Sequence, residues 1–302
     1  MSDTPTAGGP VGTGQARRER AVTDEVVASF AAGPERYREL MQGLVRHLHA
    51  FARDVRLTEA EWQQAIGFLT RCGHITTDTR QEFILLSDVL GLSTLTVGID
   101  AAASAGATES TVVGPFFVAD APRFELGDDI SGGAAGQPCY VSGAVTDVAG
   151  RPVPGARMDI WESDENGRYD VQYDGGTVAA RGWLVTGADG GYRFWSVRPA
   201  PYPIPADGPV GDLLAAAGRS PMRPAHVHFR LTAAGYRTLT THVFAAGDPH
   251  LADDAVFGVK DSLVADYTRH PPGRAPDGRT LSGPWSRLDF DFVLAPDREG
   301  VA

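Results

Sequence analysis

Cysteine is nearly absent from this chain: Cys72 and Cys139 are the two among 302 residues. Two cysteines so far apart exclude a disulfide scaffold and read as buried free thiols. No run approaches the roughly 18 uncharged apolar residues of a membrane-spanning helix. The opening MSDTPTAGGPVGTG has neither a basic nor an apolar stretch, so no secretory signal is expected. Positive charge is short as well, with 27 Lys and Arg against 38 Asp and Glu, a net charge of −11. Nucleic acid and acidic membrane surfaces would be repelled. These absences suggest a cytoplasmic protein, and residues 1–22 are expected as a disordered tail.

What is present suits a globular chain of one large domain or two ordinary ones, at 42% hydrophobic and 22% charged residues. Residues 23–107 carry helix signals. Thr23 can cap a helix that Asp24 and Glu25 complement. Gly33-Pro34 breaks the chain, and Pro34 can open the next helix. Leu40, Leu44, Leu48 and Phe51 then form an apolar stripe. Thr58-Glu59-Ala60-Glu61 and Thr79-Arg80-Gln81-Glu82 are capping boxes, the first followed by Trp62, Ile66 and Leu69 on one face. Gly91 can stop the helix opened by the second. A last helix is expected over 92–105.

From residue 108 the pattern changes to short alternating runs between Gly, Pro, Asn and Asp turns. Strands are expected at Cys139–Thr146, Arg157–Glu162, Gly191–Val197, His226–Thr232, Thr238–Ala245 and Leu288–Leu294. The expected fold class is α+β, an N-terminal helical domain over 23–107 followed by a mainly-β sandwich over 108–302. The long loops 198–225 and 246–287 are candidates for function.

One stretch carries chemistry. In Arg223-Pro224-Ala225-His226-Val227-His228 the two histidines stand two apart, so on a strand they share a face. Imidazoles roughly 6.6 Å apart at their Cβ atoms can converge on one ion. Two tyrosines stand in unusual places. Tyr169 follows the turn Asp164-Glu165-Asn166-Gly167-Arg168. Tyr202 lies in Arg198-Pro199-Ala200-Pro201-Tyr202-Pro203-Ile204-Pro205, whose prolines hold the backbone extended. Alone, each has an ordinary reading: a packed ring, a hydrogen-bonded histidine pair, an ion-paired arginine. A zinc hydrolase using both histidines with a carboxylate also fits this motif.

Gly114-Pro115-Phe116-Phe117, the stretch from Asp159 to Asp170, Tyr202-Pro203-Ile204-Pro205-Ala206-Asp207-Gly208-Pro209-Val210 and Arg223–His228 together resemble the intradiol ring-cleaving dioxygenases. The resemblance runs over residues 25–295 and is greatest to the hydroxyquinol-cleaving branch. It implies a β-sandwich catalytic domain, and a helical domain that forms a homodimer interface and binds lipid. It implies Fe(III) held by Tyr169, Tyr202, His226 and His228, one ion per subunit, with Tyr202 and His226 axial. Phenolate is a hard anionic donor and suits ferric iron, whereas two histidines and a carboxylate suit ferrous oxygenases. A free tyrosine has a pKa of about 10, so its ionisation at neutral pH needs the metal.

The implied reaction is cleavage of hydroxyquinol (benzene-1,2,4-triol) by O2 to 3-hydroxy-cis,cis-muconate, which tautomerises to maleylacetate. Tyr202 would be ligand and base, and Arg223 would stabilise the electron-rich ring. His242 would support Arg223 or hydrogen-bond near the site, and is counted with Arg223 among the substrate-binding residues. The implied pocket comprises Leu85, Asp88, Val112, Val113, Gly114, Pro115, Phe116, Ile204, Pro205 and Val256. Asp88 stands out among apolar neighbours and could accept a bond from the third ring hydroxyl, which discriminates strongly against an analogue lacking it. Catechol and chlorocatechol remain alternative substrates, and a transthyretin-like interaction module is the non-enzyme alternative.

Overall fold

The structure, a computed structural model, describes residues 12–77, 80–101 and 105–297. The chain divides into two compact units, Met1–Arg71 and Cys72–Ala302. Helix α1 spans Thr13–Ser29, α2 Glu35–Asp54 and α3 Glu59–Ile75, the last crossing the division.

Helix α1 claims residues 13–22 from the expected tail. Polar pairs one turn apart support it: Gln15 Nε2 donates to Glu19 Oε1 at 3.1 Å and Arg18 Nη2 to Gln15 Oε1 at 2.9 Å. Thr23 is therefore mid-helix rather than a cap, and its hydroxyl donates back to Glu19 O at 3.3 Å. The Thr58 box is present, with Thr58 N donating to Glu61 Oε2 at 2.8 Å and Glu61 N to Thr58 Oγ1 at 3.3 Å. The expected stripe faces outward within its unit: Leu48 and Phe51 are 56% and 57% exposed, and Leu40, Leu44, Trp62, Ile66 and Leu69 are exposed too.

Helices α4 (Glu82–Val89) and α5 (Leu92–Ala101) belong to the second unit, not to the first three helices. Glu82 explains part of this, because its buried carboxylate accepts Val210 N at 3.0 Å. Val210 lies in α6, Pro209–Ala216. Thr79 of the second expected box, and residues 102–104 of the last expected helix, lie outside the described residues.

The strands run β1 Pro138–Asp147, β2 Arg157–Glu162, β3 Arg181–Val185, β4 Gly191–Val197, β5 Tyr202–Pro203, β6 Met222–Arg223, β7 His226–Thr232 and β8 Leu239–Ala245. They continue with β9 Val264–Ala265, β10 Thr268–His270, β11 Gly273–Arg274, β12 Thr280–Leu281, β13 Trp285–Asp289 and β14 Phe292–Leu294. One sheet is ordered β10-β13-β1-β14 with β4 also on β1; the other is β3-β2-β7-β8-β9. The β11–β12 and β5–β6 pairs stand apart.

Alternate residues of the two sheets meet in the core. Val141, Phe194, Leu288 and Phe292 come from the first sheet, Met158, Ile160, Phe229 and Val243 from the second. The Phe229 and Phe292 rings lie 4.9 Å apart. Each such side chain contributes about 1.5–3 kcal/mol by leaving water. The expected strand at 288–294 is two pieces, because the chain bulges at Phe290-Asp291: Phe290 N donates to Ser142 O at 3.0 Å and Ala144 N to Asp291 Oδ1 at 2.8 Å.

Candidate metal centre and substrate cavity

The period of two along β7 builds the site. Val227, Phe229 and Leu231 enter the core, so His226 and His228 take the outer face. In register beside them on β8 stand Phe244 and His242. On the other side Trp161 of β2 stacks on His228, centroids 4.6 Å apart and planes at 15°.

The tyrosines arrive from loops. Asp164 Oδ1 accepts Asn166 N at 2.8 Å and Arg168 N at 2.9 Å, closing the turn that delivers Tyr169. Next to it, buried Asp170 is gripped by Arg181 of β3, whose Nη2 also donates to Phe116 O at 2.9 Å. Phe116 stacks on Tyr169 at 4.3 Å. Tyr202 pairs with Arg223 in the β5–β6 register, which carries the Pro-rich loop over the outer face.

Four polar atoms converge there. His228 Nε2 lies 3.0 Å from Tyr169 Oη and 3.1 Å from His226 Nε2. Arg223 Nη1 links His226 Nε2 at 3.2 Å to Tyr202 Oη at 3.4 Å. Adjacent ligands at right angles on bonds of about 2.1 Å would lie about 3.0 Å apart, so the spacing and the donor types fit a first-row ion. His226 Nδ1 donates to Pro224 O at 2.7 Å, which leaves Nε2 with its lone pair aimed inward. Burial, then the Arg223 charge, holds the His226 pKa at about 3, so the ring is neutral at neutral pH. Burial also lowers His228 and His242, and it raises the Tyr169 phenol well above its ordinary value, with the Tyr202 oxygen adding to the rise.

His242 completes a buried trio of imidazoles, the one histidine, cysteine and carboxylate cluster of metal-binding size among the described residues. Its Nδ1 faces Arg223 Nη2 at 3.4 Å. Arginine only donates, so that nitrogen accepts and the proton sits on Nε2. In that tautomer His242 faces Arg223 through Nδ1 and carries its N–H on Nε2.

A cavity of about 680 Å³ is lined by Leu85, Asp88, Gly114, Pro115, Phe116 and Pro205, with Arg80, Glu82, Phe117 and Gln172 among the rest of its wall. Its size and apolar share suit a small aromatic ring. Val112, Ile204 and Val256 are buried but are not part of that wall. Val113 turns away from it and lines a separate cavity with Thr111 and Arg237. Asp88 is 3% exposed, its Oδ1 has no hydrogen-bond partner, and burial raises its pKa.

Three contributors had no role assigned from the sequence: Trp161 on His228, Arg181 behind Tyr169, and Asp254. Asp254 Oδ1 accepts Arg223 Nε at 3.0 Å, and both side chains are buried. Burial would raise its pKa, but Arg223 prevails and lowers it.

Glu162 shares the inward parity of Met158 and Ile160, which buries a carboxyl in the sandwich. Ser196 donates to its Oε1, and Oε2 has no partner. Burial raises its pKa from 4.5 to about 8. The folded state then holds a proton that the unfolded chain has released. The stability that Glu162 contributes is full below pH 4.5 and falls as pH rises toward 8, at about 1.4 kcal/mol per pH unit. Thermal melts of the wild type should therefore drop from pH 6 to 8, and those of Glu162→Gln should drop less. Parallel curves for the two proteins would refute the assignment.

Comparison with known proteins places this geometry. Residues 112–296 match the family model described as Dioxygenase, and residues 34–108 the one described as Catechol dioxygenase N terminus. Fold and site thus define a dioxygenase with a catechol-dioxygenase-type N-terminal region. The hydroxyquinol 1,2-dioxygenase of Nocardioides simplex is 58% identical, covering 95% of this chain and 99% of its own. That of Rhodococcus opacus is 59% identical, covering 93% and 95%. The solved hydroxyquinol 1,2-dioxygenase of Pseudomonas putida DLL-E4 superposes with a TM-score of 0.86 at 42% identity, covering 93% of this chain and all of that one. The chain belongs to the intradiol ring-cleavage dioxygenase family.

Proposed function

We propose that this protein cleaves hydroxyquinol with O2 between its two adjacent hydroxyl-bearing carbons, giving 3-hydroxy-cis,cis-muconate and its tautomer maleylacetate. One Fe(III) per chain would be held by Tyr169, Tyr202, His226 and His228. The observation that carries this reading is the convergence of two phenol oxygens and two imidazole nitrogens, at 3.0 and 3.1 Å where His228 meets its neighbours. When bound, the ferric ion supplies the Lewis acidity that ionises the diol and opens the ring to O2.

The protein groups do the rest. Tyr202 Oη is placed to take a hydroxyl proton from the arriving substrate. Arg223 keeps its positive charge, because Tyr202 and Asp254 outweigh the opposing effect of burial. That cation stabilises negative charge spreading into the ring. Leu85, Gly114, Pro115, Phe116 and Pro205 seat the ring and exclude water. His242 steadies Arg223.

Asp88 would accept the third hydroxyl through its unpartnered Oδ1. Asp88→Ala should lower kcat/KM for hydroxyquinol roughly 100-fold and for catechol several-fold at most, the asymmetry of a site built for a hydroxyl. Equal losses for both substrates would remove Asp88 from specificity.

The reading is tested with iron-loaded protein. It should be coloured in the visible, consume one O2 per hydroxyquinol and yield maleylacetate. It should turn over catechol and chlorocatechols more slowly. A colourless protein that iron does not reconstitute would overturn it.

The outward apolar stripe on α2 and α3 supports a homodimer joined through the helical unit, with lipid as a second occupant of that face. A Leu48→Glu and Phe51→Glu double variant should sediment as a monomer. Two buried cysteines, far apart in sequence, suit a cytoplasmic location, and among the described residues no single helix is long and apolar enough to cross a membrane.

A further inference from the structure

Arg223 is 2% exposed, and its guanidinium meets four side chains. Nη1 faces His226 Nε2 and Tyr202 Oη at 3.2 and 3.4 Å. Nη2 faces His242 Nδ1 and Asp254 Oδ2, both at 3.4 Å, and Nε donates to Asp254 Oδ1 at 3.0 Å. Of these partners, Asp254 is the carboxylate. A fork of two donors on two carboxylate oxygens sets the plane of a guanidinium as well as neutralising it. With Nε and Nη2 committed to Asp254, Nη1 is the corner left to face Tyr202 and His226.

The carboxylate is itself fixed. Oδ1 accepts Val256 N at 3.3 Å, and Oδ2 accepts Gly258 N at 2.8 Å. A Cβ at Gly258 would lie 3.0 Å from Arg223 Nη2 and 3.1 Å from Asp254 Oδ2, so glycine admits the fork. Between them Phe257 holds a left-handed φ of 57°. Arg219 lies 4.7 Å over the Phe257 ring and donates to Ala255 O at 3.0 Å. Ala255 N donates to Met222 O at 3.0 Å, which ties the turn to β6 beside Arg223. A strained turn closed at so many points is a bracket, and the group it presents is the Asp254 carboxylate.

We propose that Asp254 is a positioning residue for ring cleavage. Held by the 254–258 turn, its carboxylate fixes the plane of Arg223 so that Nη1 faces the reacting ring beside Tyr202 and His226. This rests on the reaction proposed above and on Arg223 acting in it. Asp254 touches neither substrate nor iron; its effect passes through the guanidinium.

Asp254→Asn keeps the shape and removes the charged fork. In the iron-loaded enzyme its kcat for hydroxyquinol should fall 30- to 100-fold. KM, the substrate dissociation constant without oxygen, and iron content should each stay within threefold of wild type. The double variant Arg223→Ala with Asp254→Asn separates positioning from mere structure. Adding Asp254→Asn to Arg223→Ala should cost less than a further twofold in kcat. It should also raise Tm above that of Arg223→Ala alone, because it removes a buried carboxylate that has lost its partner. Should Asp254→Asn not fold, Gly258→Ala presses on both Arg223 Nη2 and Asp254 Oδ2 and distorts the fork while keeping both charges. It should lower kcat three- to tenfold at unchanged KM.

Wild-type kcat in Asp254→Asn, or the same activity loss whether or not Arg223 is present, would overturn the proposal. If Asp254→Asn does not fold, wild-type kcat in Gly258→Ala does so. A wild-type enzyme that cleaves neither hydroxyquinol nor catechol would instead overturn the underlying reading, an outcome visible before any variant is made.

Discussion

His226→Ala is expected to carry less than a tenth of the wild-type iron and to lose ring cleavage by 10³-fold or more. Substituting an outer partner of a metal ligand already costs roughly 10–100-fold in metal affinity, and His226 is proposed as a ligand itself. Its Nδ1 bond to Pro224 O fixes the tautomer, so no other rotamer presents the same lone pair. The fold should survive. The ring is neutral at neutral pH, so its removal strands no charge, and the cost is a cavity of about 2–4 kcal/mol beside Phe244 and His242. Circular dichroism should match wild type while metal analysis does not. His242→Ala is the control, and it should keep most of its iron because Nδ1 of that ring is occupied by Arg223. Iron lost equally from both variants would mean that all three imidazoles ligate.

Why the sequence exposed this site so readily is a matter of short spacings. His226 and His228 share a face through the period of two alone, and the prolines around Tyr202 announce a held loop. Five of the expected strands agree with the structure to within a residue at each end, because their turns carry Gly, Pro and Asp. What stayed hidden depends on distance along the chain. Asp254 is one of many aspartates until the fold brings it to Arg223, 31 residues away. Trp161 reads as core until β2 pairs with β7 and sets it against His228. Val113 reads as pocket wall beside Gly114 and Pro115, yet it lines the cavity of Thr111 and Arg237 instead. Strand β3 was missed because Arg181-Gly182-Trp183 lacks the alternation of a half-buried strand: Arg181 is buried on Asp170, and Trp183 lies partly open under Arg157 at 4.2 Å.

The helical half shows the opposite failure. Leu40, Leu44, Leu48 and Phe51 have the spacing of a core-facing stripe, and spacing cannot tell whether the partner is the same chain or another molecule. Residues 13–22 read as tail for a related reason, while residues 1–11 lie outside the described residues. Gly, Pro and Thr dominate residues 1–14, but the helix formers begin at Gln15, and Glu19 is held by both terminal nitrogens of Arg56 at 3.0 and 2.9 Å. That pairing spans 37 residues and leaves no local trace.

Gly143→Ala is expected to be the most destabilising single-methyl change on the sheet. Gly143 sits inside β1, where a glycine would ordinarily weaken a strand and an alanine repair it. Here a Cβ would lie 1.8 Å from Phe290 O and 2.7 Å from its carbonyl carbon. Backbone cannot rotate aside as a side chain can. Phe290 is pinned by its own N–H bond to Ser142 O at 3.0 Å, and Tyr192 Oη donates to the same carbonyl at 2.7 Å. Making room would lift the Phe290-Asp291 bulge off β1, breaking those two bonds and the Asp291 bond to Ala144 N. It would also draw Phe292 from its packing on Phe229. Two to three hydrogen bonds at about 1 kcal/mol each, with partial loss of one phenylalanine's burial, give about 4 kcal/mol. Chemical denaturation should show a midpoint lowered by that amount with an unchanged slope, and iron content in the surviving folded fraction should be normal, because the bulge lies on the sheet that carries no ligand. A variant as stable as wild type would mean that the close approach at Gly143 relaxes without cost.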